Sequence, residues 1–317
     1  MSTAVLTSTG PARPTRRVRR AGRAPDVVPL RLYGVRRRTV NIVTVLCGLF
    51  AVFTLIPIWW IFVSSTKTVP NFNSTFAFWF ARPFVLFSNL KNVFSNKEDG
   101  SFLQWMENTA IYAGIGAVGA TALSAMAGYG FARFNFRGKN ALFLFVMSAL
   151  LIPIAAFAVP LYLIYAKVHL DSTMPGIFIP FMISPVSVYL MRVYAGGSVP
   201  PELLDAARID GAGESRIFAR VAIPLMVPAL VTVFLLNFVA AWNNYFLPFI
   251  INNSARLNTL TQGLALWMNH TNIAGSSEDF TVLTITAGML TITPLIILFL
   301  LLQRYWRSGL LLGGMTG

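Results

Sequence analysis

Six apolar stretches follow one another along this chain of 317 residues, roughly Asn41 to Val63, Asn108 to Phe131, Asn140 to Ala166, Pro175 to Ala195, Leu225 to Ile250 and Thr281 to Gln303. Each is long enough, at about 20 residues per span, to cross about 30 Å of hydrocarbon as a helix. With 56% of residues hydrophobic and only 11% charged, the chain has the balance of a polytopic membrane protein rather than a soluble domain. The expected fold is all-α, six transmembrane helices spanning 41–303, between a basic tail over 1–40 and a short tail over 304–317.

The net charge of +14 would suit a nucleic-acid binder, but its distribution says otherwise. Ten arginines fall in residues 1–40 against Asp26 alone, a composition that buries too little apolar surface to order itself. If the N-terminus lies in the cytoplasm, the inner segments collect 19 Lys and Arg and the outer segments 6, a bias that puts both termini inside. The basic balance is then topology, with no nucleic acid as partner. The tail could also lie against an anionic membrane face.

The spans carry almost no ionisable side chains. Ion-driven carriers place Asp, Glu, His or Lys at membrane depth, whereas Glu107, Asp171, Glu278 and Asp279 all lie in loops or at span edges. Nor does the chain hold an ATP-binding loop of its own: no G-x-x-x-x-G-K-[ST] occurs, and Gly138-Lys139-Asn140 lacks both the hydroxyl for magnesium and the preceding glycines. Cys47 is the only cysteine, and His169 and His270 stand apart, so no metal site and no covalent catalysis are expected. Energy must arrive from another polypeptide.

One polar island interrupts the apolar C-terminal two-thirds, SVPPELLDAARIDGAGESRIFARVAIPLMVP from Ser198 to Pro228. Pro200 and Pro201 suit the first turn of a helix running from Leu203 to Asp210, and Gly211 suits the left-handed residue that ends it. A second short helix capped by Ser215 should follow, with Phe218, Val221, Ala222 and Leu225 on one apolar stripe, until Pro224 and Pro228 kink the entry into the fifth span. Two surface helices joined at a glycine corner are expected.

Asp205-Ala206-Ala207, Gly211-Ala212, Phe218, Val221, Ile223-Pro224 and Pro228 resemble the EAA loop of membrane subunits of bacterial ABC importers. The resemblance implies a type I importer permease fold and a cytoplasmic coupling loop, here 198–224, that docks on a separate ATP-hydrolysing subunit. It marks Asp205, Ala206, Ala207, Gly211, Ala212, Phe218 and Pro224 as the ATPase-coupling residues. Asp205 stands where the family usually has Glu, one methylene longer. Tyr129 to Lys139 and the Gly-rich C-terminus are similar to the carbohydrate branch, in particular to the smaller of its two permease partners. The implied assembly is a second permease subunit, an ABC ATPase dimer that carries the ATP and magnesium, and an extracytoplasmic solute-binding protein, in the bacterial cytoplasmic membrane. This chain would then bind no cofactor itself.

Trp242-Asn243-Asn244-Tyr245 is the candidate substrate path, since amides and aromatic faces suit the hydroxyls and CH faces of a neutral sugar. Interhelical hydrogen bonding by the asparagines is the alternative. Other solutes of the same family, a polyamine or glycerol phosphate, would want charged side chains along the path, and a self-sufficient carrier would want a buried ionisable pair. Gly116, Ala120, Ser124 and Gly128, four residues apart, form a small-residue stripe for close helix approach, within the chain or against a partner. The connection 64–107, rich in Phe and Trp, suits an interfacial or docking surface as well as a loop packed over the spans.

Overall fold

The computed structural model describes residues 37–97, 100–271 and 280–310, with the side chains of 37, 38 and 306–310 left aside. Residues 1–36 of the basic tail, the acidic pair Glu278 and Asp279, and residues 311–317 of the C-terminal tail lie outside the described residues.

Every described element is helical. α1 (Arg37–Ser65) is followed by α2 (Val69–Ser74), α3 (Leu86–Ser95), α4 (Phe102–Arg133), α5 (Lys139–Ser148), α6 (Ala158–Lys167), α7 (Met174–Phe178) and α8 (Pro185–Ser198). The order continues with α9 (Pro201–Ile209), α10 (Glu214–Ile217), α11 (Ile223–Trp242), α12 (Phe246–Ile251), α13 (Leu260–Thr271) and α14 (Thr281–Leu310). Four helices are long and apolar enough to cross a membrane, and two bent pairs raise the number of spans to six. The chain divides between Phe53 and Thr54. The first part contributes the opening turns of α1, where Leu46, Leu49, Phe50 and Phe53 are all more than half exposed, as suits a helix facing lipid.

In the unit from Thr54 onward, α4 is the central post, 32 residues and so about 48 Å long. The small-residue stripe faces inward, against α7, α8 and the turn between them. A Cβ on Gly116 would stand 2.6 Å from Phe181 Cβ, and one on Gly128 would stand 2.5 Å from Met191 Cβ and 2.6 Å from Arg192 N. The stripe is therefore spent within the chain. Close backbone approach is what small residues provide where lipid supplies no hydrophobic drive between helices.

Two expected spans are broken. The run Asn140 to Ala166 folds as two limbs bent by 95° at Pro153, and the run Pro175 to Ala195 bends by 40° near Ser184. Proline explains both. Ile152, the residue before Pro153, takes ψ 121°, the extended conformation that proline forces on its predecessor. Ser184 is extended too and caps α8, its hydroxyl accepting from Ser187 N at 3.4 Å with Pro185 in the first turn.

The connection 64–107 folds as α2 and α3. Asn89 holds its entrance by donating to Ser65 O and Lys67 O at 2.8 and 2.9 Å, and Val93 is buried. Phe76, Trp79, Phe84 and Phe87 stay more than half exposed.

Two buried clusters lie toward opposite ends of α4. The Arg133 end packs Ala125 and Tyr129 with Met191, Ala195, Leu204, Ile217 and Met226. The Phe102 end packs Phe102 and Trp105 with Trp242, Leu260, Trp267 and Phe280.

Candidate functional site

The polar island sits at the Arg133 end of α4. Pro201 opens α9, as a residue that needs no intrahelical N–H partner, and Glu202 lies in its first turn, favourable to the helix dipole. At its end, Gly211 takes φ +77°, Ala212 N donates to Ala207 O at 3.0 Å and Gly211 N to Arg208 O at 3.0 Å. These two bonds define a Schellman cap, which needs one residue in the left-handed conformation. The roles of Ala207 and Ala212 follow: one supplies the carbonyl, the other the amide, and both are small enough to pack against the buried cluster. Ala206 and Asp205 are both exposed.

The second half of the island departs from expectation. Gly213, not Ser215, precedes α10 as its cap residue, and it makes no side-chain cap bond. α10 passes through a π-turn, Phe218–Ala222, straight into α11, so that Glu214–Trp242 is one span of 29 residues. The expected second surface helix is therefore the foot of the fifth span. Proline again gives the reason. Pro224 cannot donate to the carbonyl four residues back, and in the turn before it Ile223 N bonds instead to Phe218 O, five residues back. The extra residue is absorbed within one continuous span. Pro224 itself is exposed at the start of α11.

The corner is anchored to the bundle by apolar contacts and braced by charge. Leu204, 2% exposed, enters the buried cluster. Phe218 packs on Tyr129, with ring centroids 5.1 Å apart. Across the corner, Arg208 spans two carboxylates: its Nη1 lies 2.8 Å from Asp205 Oδ1 and its Nε 2.7 Å from Glu214 Oε1. Hydrogen bonds to Glu214 and then Asp205 raise the already high guanidinium pKa, so Arg208 stays charged at any accessible pH. Asp205 thus pairs within its own chain. Arg208 was not singled out by the sequence reading, although its spacing of three from Asp205 and six from Glu214 is visible there.

Leu203, 47% exposed, and Ile209, 87% exposed, stand on the solvent side of α9 together with Glu202, Asp205 and Arg208, which are exposed as well.

The second candidate set lies at the far end of the fifth span. Trp242 is the last residue of α11, and Asn243, Asn244 and Tyr245 form the break before α12, not the middle of a helix. Trp242 is 3% exposed and stacks on Phe238 at 5.5 Å. Asn244 Oδ1 caps α12 by accepting from Leu247 N at 3.0 Å, and its carbonyl accepts from Thr261 Oγ1 at 2.9 Å. Asn243 and Tyr245 are exposed; Asn243 donates back to Val239 O, and Tyr245 stacks on Phe249. Asn237 bonds Ser187 of α8 at 2.9 Å, an interhelical contact. Among the described residues, no group of three His, Cys, Asp or Glu side chains could hold a metal ion.

A glycine-capped surface helix on a bundle of broken and continuous spans is the arrangement expected of an importer's membrane subunit, and the comparisons show the same family. The model for the binding-protein-dependent transport system inner membrane component matches residues 120–310, and the chain belongs to that family. It is 35% identical over 216 residues to the arabinooligosaccharides transport system permease protein AraQ of Bacillus subtilis, covering 68% of this chain and 74% of that one. It is 28% identical to the melibiose/raffinose/stachyose import permease protein MelC of the same organism, covering 89% and 99%. Among solved structures, a bacterial ABC transporter involved in import of the acidic polysaccharide alginate superposes with a TM-score of 0.73 at 25% identity, covering 86% of this chain and 99% of that one. The protein is a multi-pass cytoplasmic-membrane permease subunit, and its family lacks an ATP site of its own.

Proposed function

We propose that this subunit carries a neutral sugar or oligosaccharide into the cell, driven by ATP hydrolysed on a separate ATPase dimer that grips α9. The carrying observation is the Gly211 corner: a Schellman-capped helix, tied to α4 and α8 through Leu204 and braced by Arg208, with Leu203 and Ile209 bare on its outer face. Such a unit moves as one piece when pushed, tilting the spans to which it is fixed. Arg208 would then lie in the cytoplasm, with both termini on that side.

The solute is inferred from the relatives, named for transport of arabinooligosaccharides and for import of melibiose, raffinose and stachyose, and from the uncharged character of the break at 243–245. Asn243 and Tyr245 are the two members of the candidate path that point outward, so they are assigned to the solute. Trp242 supports them from behind. A second permease subunit would close the path, and an external binding protein would deliver the sugar. Magnesium and nucleotide are assigned to the ATPase, leaving this chain without a cofactor.

The test is Gly211→Val in the assembled transporter. A Cβ at Gly211 meets nothing within 4 Å, so any defect comes from the positive φ and not from a collision. Strain of about 1–2 kcal/mol should re-aim α9. Normal membrane insertion with ATPase activity no longer stimulated by sugar and binding protein, and uptake lost, is the expected result; normal uptake would remove the lever.

A further inference from the structure

A cavity of about 420 Å³ opens at the Arg133 end of the bundle, between the α4–α5 turn and α8, lined by Asn135, Phe136, Gly138, Lys139, Asn140, Ala141 and Arg192. Two of its lining side chains are cations and none is an anion. From Asn108 to Ser198 the only acidic residue is Asp171, and it does not line the cavity.

The two cations are held differently from Arg133 nearby. Arg133 is engaged structurally through its Nη2, which donates to Ala195 O and Gly196 O at 2.8 and 2.9 Å and caps the end of α8, while its Nε is buried without a partner. Arg192 has its guanidinium 3.8 Å above the centroid of the Phe143 ring, and no carboxylate, carbonyl or amide of the described residues accepts from it. Stacking fixes the plane of the fork and leaves its N–H groups free, the arrangement that recognises phosphate by two parallel bonds. Lys139 donates to Phe134 O at 2.9 Å, which uses one of its three donors and holds the ammonium at the rim. The side-chain amides of Asn135 and Asn140 can add neutral donors.

The cavity stands where the apolar surface ends. Leu142 and Phe145 of α5 are 49% and 75% exposed and Val193 of α8 is 58% exposed, all turned away from the protein interior. This cluster therefore sits at headgroup depth, with lipid-facing side chains directly beside it. A ligand with a phosphate and acyl chains satisfies both parts at once, while a free phosphate satisfies only the first.

We propose that this cavity binds the phosphate of an anionic phospholipid in the leaflet on the α9 side, with Arg192 and Lys139 as its ligands. Because Arg192 follows Met191, whose side chain packs in the cluster that also receives Leu204, a bound lipid would brace the wall on which the coupling corner rests.

The experiment uses the full chain in its transporter, stripped of lipid in detergent and titrated with phosphatidylglycerol, with phosphatidylcholine or with inorganic phosphate. Bound lipid is counted by native mass spectrometry, and thermal stability is read as the difference between the two lipids, which a merely structural defect leaves unmoved. The expected result is selective retention of phosphatidylglycerol, weakened about tenfold or more by Arg192→Gln, where a charge-assisted bond is lost. Arg192→Lys should retain part of the affinity. Arg137→Gln, a cation in the same turn that does not line the cavity, should leave it unchanged. Equal retention of phosphatidylcholine, equal loss in Arg137→Gln and Arg192→Gln, or Arg192-dependent binding of inorganic phosphate without lipid selectivity would each overturn the proposal.

Discussion

The two ends of α4 are stabilised by different means. At the Phe102 end the chain is laced by hydrogen bonds between elements far apart in sequence. Asn108 Nδ2 donates to Arg256 O and Asn258 O at 2.8 and 3.0 Å and Leu260 N donates to Thr109 Oγ1 at 2.8 Å, while within the 252–258 connection Asn252 Nδ2 donates to Asn258 Oδ1 at 3.0 Å. Trp105 and Trp267 close the centre edge to face, with centroids 4.8 Å apart. At the Arg133 end the buried cluster is mostly Ala, Met, Val and Leu, the Arg133 bonds to Ala195 O and Gly196 O are its long-range directional ties, and the ion pairs among the described residues lie on the surface. Directional bonds dominate one end. Non-directional packing dominates the other, where a surface helix is attached mainly by apolar contacts.

This contrast is broken most severely at the tryptophan pair. Trp105→Ala removes a fully buried ring on which α13 rests, with Gly263 so close that no Cβ fits between them. A cost of about 3–5 kcal/mol is expected, read as loss of folded protein in a detergent melt. Next is Asn108→Ala, which leaves two carbonyls of the 252–262 connection without their shared donor. About 1–3 kcal/mol should be lost, with faster proteolysis of that connection and no change in sugar-stimulated ATPase per folded molecule. An effect on coupling equal to its effect on stability would show that the two ends are not separable.

At the break in the fifth span, Asn243→Ala should raise the half-saturating sugar concentration about fivefold or more, the loss of about one hydrogen bond, with the basal ATPase rate intact. Trp242→Ala should instead lower thermal stability, because its ring is part of the Phe102-end cluster. The reverse assignment, specificity moved by Trp242 and untouched by Asn243, would place the path on the other face of the break.

Much of this architecture is legible in hydropathy, because hydrocarbon thickness imposes a length on any span and the first, second and last runs meet it as single helices. The bends were written in Pro153 and Pro185, but a proline in an apolar run can be either tolerated or decisive. Pro57, Pro228 and Pro294 sit inside continuous helices. What separates the cases is whether neighbouring groups re-satisfy the carbonyl that the proline frees four residues back, and that is a matter of packing. α13 escaped notice for a related reason: its 12 residues are too short for a span, and its burial depends on Trp105, more than 150 positions away. The glycine corner was the most legible feature, since a Schellman cap is local and its requirement for Gly211 does not depend on the rest of the fold.

The smallest expected effect on stability, and the sharpest on the comparison, is at Arg208. Its two partners are exposed, at 66% for Asp205 and 46% for Glu214, so solvent screens the pairs and their removal should shift the melting temperature little. The clip nevertheless joins α9 to α10 across Gly211, whose φ is positive, and on the proposed reading it sets the angle at which Leu203 and Ile209 are presented. Arg208→Ala should therefore leave folding and lipid insertion intact while reducing the stimulation of the ATPase by sugar-loaded binding protein. Raising salt should mimic the substitution in the parent and do little further in the variant, because the same pairs are already gone. Arg208→Lys, which keeps one charge but cannot reach both carboxylates with a planar fork, should fall between the two. If Arg208→Ala instead melts tens of degrees lower, the α9 end is held by charge after all, and the division of labour between the two ends of α4 fails.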